Sequence, residues 1–196
     1  MEADKINREQ QKKVHAFIAE IARNQAVSAA LMREQLKSRF QEAMDYRRRF
    51  SLSLEVCTVR EYDEFMAFLV DIALEFGVIS ESITDYYDDI EQYVAMCIKH
   101  RVCCVTGQKH DPLTGYTVDI HHVDKVGMGN DRTKVDHSKL RRMPLTREMH
   151  QLSHVIGEEE FTNKFHVVGV LTHYRSGKNA IDDELDIKEA EENGKE

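Results

Sequence analysis

The chain of 196 residues has no apolar run long enough to cross a bilayer. The best candidate, Phe65 to Phe76, is short and carries Asp71 and Glu75, whereas a spanning helix needs about 20 apolar residues. A membrane protein is therefore not expected. Met1-Glu2-Ala3-Asp4-Lys5 offers no apolar signal region, which argues against secretion and for a cytoplasmic location. Cysteine is scarce: there are four, two of them adjacent. That usage does not resemble a disulfide framework and suits a reducing compartment. Proline is scarcer still, with Pro112 and Pro144 the only two. No internal repeat is visible.

A basic excess is also missing, since the formal net charge is −8. Taken alone, this would argue against a nucleic-acid partner. The average conceals a division along the chain. Residues 1–98 hold 12 Lys/Arg against 18 Asp/Glu, and residues 157–196 hold 5 against 11. Between them, residues 99–156 hold 10 against 6, together with seven of the ten histidines. Phosphate binding depends on charge near the contact, because salt screens the rest within about 10 Å.

Before residue 99 the pattern is helical. Val14, Phe17, Ile18, Ile21 and Ala22 recur at helical spacing within 5–50, and Ala26 to Phe40 continues in helical composition. Thr58 with Glu61 forms a capping-box signature that opens a helix through Phe65, Phe68, Leu69, Ile72, Leu74 and Phe76, closing near Gly77. A further amphipathic stretch runs from Ile83 to His100. The aromatics read as core, and Arg47-Arg48-Arg49 as a solvated basic face. Beyond residue 101 the character changes. Tyr116 to Val123 reads as a strand, Val126 to Arg132 as a loop, and Arg141 to Leu145 as a short return strand. Thr146 caps a helix ending at Gly157, and Glu158 to Phe165 forms another short helix. The boundaries implied are a helical domain over 1–98, a mixed module over 99–170 and an acidic, loosely ordered tail over 171–196. The fold class is α+β.

The chemistry-bearing residues lie in the basic window. His150 and His154, four apart, share one helix face. Met149, Leu152, Val155 and Ile156 cluster on the opposite side. The pair is either ordinary surface histidine or two imidazoles offered to one metal. His121 and His122 are adjacent on a probable strand, so their rings point to opposite faces and cannot share one task. An HH pair, 27 residues, then H-x3-H on a capped helix is a more specific combination than either half.

The segment Asp119-Ile-His-His-Val-Asp-Lys-Val-Gly-Met-Gly-Asn-Asp-Arg132, with Asp136-His-Ser-Lys139 and His150-x3-His154, closely resembles the phage-encoded HNH nucleases. The resemblance is strong over about 98–166 and extends more weakly upstream through Phe50 to Cys57. It implies a ββα-metal (HNH) module behind the helical N-terminal domain. It also implies a metal-dependent endonuclease that hydrolyses DNA phosphodiesters, acting in the host cytoplasm with phage or host recombination or replication proteins. By the family pattern His121, His150 and His154 are metal ligands and His122 is the general base. Three imidazoles favour a borderline transition metal over hard Mg²⁺, leaving Zn²⁺, Mn²⁺, Ni²⁺, Co²⁺ and Mg²⁺ open for one divalent ion. Asp119, Asp124 and His137 are candidates to orient a ligand ring. Lys139, Arg141, Arg142 and Arg147 are candidates for phosphate contact.

Two features depart from the family pattern. Relatives bind a second, structural zinc through two knuckles, Cys-x2-Cys and Cys-x2-His. Here those positions read Cys103, Thr106, Thr146 and Met149. Structural zinc wants four ligands, so its loss is expected, with Thr146 serving as helix cap and Met149 as core. His100, Cys104 and His110 could rebuild a site only with something at the helix end to close it. The usual central Asn falls at Arg141, with His137 the nearest polar substitute. A competing reading is a DNA-binding accessory protein that holds DNA with little or no cleavage. Another is a purely structural zinc module, for which His122 would have no task.

Overall fold

Residues 4–78, 87–124 and 140–171 are described in the computed structural model of the chain. Among the described residues four helices come first: α1 Arg8–Asn24, α2 Ala29–Ala43, α3 Val59–Glu75 and α4 Ile90–His100. Two strands and two helices follow: β1 Val118–His122, β2 Arg142–Thr146, α5 Arg147–Ile156 and α6 Glu158–Phe165. The class is mixed α+β, as the sequence indicated. Among the described residues no helix is long and apolar enough to cross a membrane.

Local chemistry sets the helix ends. Asn7 and Gln10 form a capping box at the start of α1, and Thr58 and Glu61 form the anticipated one at α3. Each cap satisfies backbone N–H groups that have no intrahelical acceptor. The helical run over 5–50 is two helices, because the chain turns at Ala26 with a positive φ of 53°. The Ile83–His100 stretch is helical from Ile90, where Asp89 caps it; residues 83–86 lie outside the described segments, as does the expected loop Val126–Arg132. α3 ends where anticipated, with Gly77 at φ 66°.

A bridge between Lys5 and Thr58, and a hydrogen bond from the Ile6 amide to the Cys57 carbonyl (3.1 Å), fasten the chain start to the head of α3. The helices bury their apolar faces against one another around an aromatic cluster. Phe65 stands 4.9 Å from Phe40 and 4.8 Å from Phe50, centroid to centroid, and all three are fully buried. The Arg47–Arg49 cluster sits beside this core. Arg48 pairs with the buried Glu61, and Arg49 with Glu34 at 3.2 Å. Two of the three basic groups therefore serve internal ion pairs.

β1 and β2 are antiparallel, with His121 opposite Met143 and His122 opposite Arg142. All five residues of β2 are buried, so the alternation expected of a half-exposed strand is absent. The cause is cover on several sides. The Cys104 amide donates to the Pro144 carbonyl (3.0 Å), bringing the segment after α4 onto the strand. Arg142 also exchanges both backbone hydrogen bonds with Val170. Gly169 passes so near the hairpin that a Cβ there would lie 2.4 Å from the Val123 Cγ2, which is why that position carries no side chain.

Truncating Phe65 to Ala leaves a cavity between α2, α3 and the Phe50 segment. Urea unfolding is expected to show a loss of about 3–5 kcal/mol, with the m-value unchanged.

Candidate metal centre

β2 runs into α5 without a linker. Thr146 is the last residue of the strand and the N-cap of the helix, its hydroxyl accepting from the Met149 amide at 3.4 Å. This junction sets the helix across the hairpin. α5 then presents His150 and His154 toward β1, which supplies His121 from its inner face. His121 is only 4% exposed, whereas its neighbour His122 is exposed. That contrast is the strand alternation anticipated for the two rings.

The three rings form a tight group. Centroid separations are 4.7 Å for His121–His150, 5.2 Å for His121–His154 and 4.9 Å for His150–His154. One ring nitrogen from each lies within 4.8 Å of the others, an arrangement able to hold a metal ion. Three cationic imidazoles so close would repel strongly. Burial lowers the His121 pKa from its ordinary value against the opposing pull of the Glu158 carboxylate, and His150 and His154 lower it further. Its neutral form is the one that can coordinate.

Carboxylates flank the group. Asp119 Oδ2 lies 3.5 Å from His150 Nδ1 and 3.6 Å from Arg147 Nε. With its Nδ1 turned to Asp119, His150 keeps Nε2 for another partner. Glu158, the first residue of α6, places Oε2 3.0 Å from His121 Nε2. Glu158 was not among the sequence candidates. Its signal was its position four residues after His154, hidden by Gly157, which reads as a helix stop and does end α5 with φ 86°.

The remaining candidates fall elsewhere. Asp124 engages Arg141 and not a histidine ring: its carboxylate accepts from the Arg141 backbone amide (2.7 Å), Nε (3.1 Å) and Nη2 (2.7 Å). The Arg141 carbonyl in turn accepts from the Val123 amide at 2.9 Å. The Arg141 guanidinium is thus committed to a carboxylate before any phosphate arrives. Arg142 is 8% exposed, its backbone tied to Val170. Arg147 is exposed beside Asp119. His137 and Lys139 lie outside the described residues. Val155, assigned from periodicity to the apolar face of α5, is 81% exposed; Met149, Leu152 and Ile156 pack against the core.

The four positions expected to have lost a structural zinc take part in other contacts. The Thr106 amide points to Cys103 Sγ at 3.5 Å, Thr146 caps α5, and Met149 packs on the core. His100 Nε2 contacts Asp71 at 2.7 Å, and His110 Nδ1 accepts from the Val118 amide at 3.1 Å.

The Arg141 side chain, then its backbone amide, holds the Asp124 pKa below its ordinary 3.8. The folded pKa is depressed, so the clasp is fully present above the ordinary value and fades as pH falls through the lower folded one. Amide exchange at Val123 is expected to stay slow down to about pH 4 and to quicken below it. In Asp124→Asn that amide is expected to be less protected above about pH 4, the difference closing as Asp124 protonates.

A family model described as "Putative HNHc nuclease" matches residues 1–178. No curated protein and no solved structure matches the chain.

Proposed function

Because the chain belongs to the HNHc nuclease family over residues 1–178, we propose that it is a metal-dependent endonuclease that hydrolyses DNA phosphodiester bonds. The observation that carries this reading is the convergence of His121, His150 and His154 on one point, with His122 beside them on the outer face of the same strand. Three neutral imidazoles suit a borderline divalent ion better than Mg²⁺. A divalent ion held by these three would neutralise charge on the scissile phosphate and on the departing oxygen.

The chain's own groups supply the rest. His122 accepts the proton of the attacking water at a ring nitrogen, a role suited to imidazole near neutral pH. Its exposure lets a duplex reach it, while the buried His121 stays behind the strand. Asp119 fixes the orientation of His150. Arg147, exposed at the start of α5, is placed to meet a phosphate next to the histidines. A role in phage recombination or replication rests on the resemblance of the Asp119–Arg132 string alone.

Supercoiled plasmid incubated with Mn²⁺, Mg²⁺, Ni²⁺, Co²⁺ or Zn²⁺ is expected to be nicked and linearised. In His122→Ala the rate should fall about 10²–10⁴-fold with metal affinity kept. His150→Ala should lose both. No cleavage of duplex, single-stranded or branched DNA with any of these ions would overturn the assignment, and binding without cutting would select the accessory role instead. Asp119→Asn is expected to weaken metal binding about 10-fold or more, read by competition with a chromophoric chelator.

A further inference from the structure

We propose that Glu158 is the fourth protein ligand of the metal centre, turning a three-histidine site into His₃Glu. The inference rests on the reading that His121, His150 and His154 hold a divalent ion, and goes beyond it by adding a residue outside the histidine pattern.

Three observations converge. The first is placement. Gly157 breaks the helix, and the chain restarts at Glu158 as the first residue of α6. The helical period does not carry across that break; the contact with the His121 ring is what shows that the carboxylate returns to the side of the histidines. Glu159 and Glu160, its neighbours in the same acidic turn, are exposed; Glu158 is half-buried.

The second is distance. Glu158 Oε2 is 3.0 Å from His121 Nε2. Ligand atoms bound at about 2.0–2.2 Å in a tetrahedral shell stand about 3.3 Å apart. The two atoms are therefore already near the separation of neighbouring ligands. Oε2 contacts one of the three rings and is not part of the closest three-nitrogen group, so coordination requires the carboxylate to move toward His150 and His154.

The third is an unmet demand. Glu158 Oε1 is buried and has no hydrogen-bond partner among the described residues. A carboxylate oxygen withdrawn from water without a donor is unfavourable, and more so than a neutral acceptor. A cation at the histidine cluster supplies the missing charge. The anionic ligand would in turn lower the net charge of the bound dication from +2 to +1. An ion preferring six ligands keeps two positions for water and phosphate oxygen beside a His₃Glu set.

Glu158 could instead serve only as the acceptor that orients the His121 ring. Glu158→Gln separates the two roles: the amide oxygen still accepts from the ring N–H but is a poor ligand. The full chain is titrated with Co²⁺ and Mn²⁺ beside Glu158→Gln, Glu158→His and His150→Ala, with circular dichroism melts to confirm folding. Glu158→Gln is expected to bind Co²⁺ at least about 10-fold more weakly with an altered visible spectrum. Water-proton relaxation by bound Mn²⁺ should increase, because water replaces the carboxylate. Glu158→His should regain most of the Co²⁺ affinity. Unchanged affinity and relaxation in Glu158→Gln, while His150→Ala loses binding, would overturn the assignment and leave the three-histidine site standing. Weaker binding with an unchanged spectrum and unchanged relaxation would also overturn it, leaving Glu158 as a positioning residue. Failure of the unsubstituted chain to bind either ion would instead remove the metal-centre reading on which the inference rests.

Discussion

The histidine cluster depends on one covalent junction: β2 becomes α5 at a single residue. Thr146 pairs in the strand opposite Val118 and caps the helix. Any linker between the two would add freedom between the hairpin that carries His121 and the helix that carries His150 and His154. With none, the position of the helix over the sheet follows from the strand register. A slip of one residue in β1 would turn His121 outward and His122 inward. The buried core guards against that slip, since Val118 on β1 and Met143 and Leu145 on β2 are all fully or almost fully enclosed. Packing, strand register and the convergence of three nitrogens are thus one constraint seen at three scales.

The helical part before residue 101 adds to this constraint. α3 packs on α4, and the segment leaving α4 lies on β2 through the Cys104–Pro144 hydrogen bond. Tyr93 on α4 donates from its hydroxyl to the Cys104 carbonyl at 3.2 Å. A single connected apolar cluster runs from Ile6 to Val170. The hairpin, only two strands wide and marginal by itself, is thereby supported along β2. Apolar cover and caps such as Thr146 hold this small ββ unit.

Features set by neighbouring residues were legible in the sequence. Both capping residues ahead of α3 and α5, the turn at Gly77 and the H-x3-H face follow from rules spanning four residues or fewer. Features set by distant contacts were not. Asp124 meets Arg141 across seventeen positions, and no local rule chooses that partner over a histidine. Val155 satisfies the helical period yet faces solvent, because α5 covers a narrow hairpin with imidazoles on one flank and has room to bury only Met149, Leu152 and Ile156. Glu158 escaped because Gly157 signals a helix end, which it is, but the chain turns back toward the same site. The second helical segment expected from Ala26 starts at Ala29, because Ala26 itself takes a left-handed turn that alanine disfavours.

The Asp124–Arg141 clasp closes the hairpin at its mouth. It joins the two ends of the intervening segment by a bidentate ion pair and a backbone hydrogen bond between Val123 and Arg141. Whatever chain is strung between those ends, the hairpin below receives the same closure. Doubling the length of such a connection costs only about 0.6 kcal/mol in closure entropy. Closure of the hairpin therefore depends on the two end residues more than on the length of chain between them. The clasp works as a fastening at the mouth of the hairpin that carries His121.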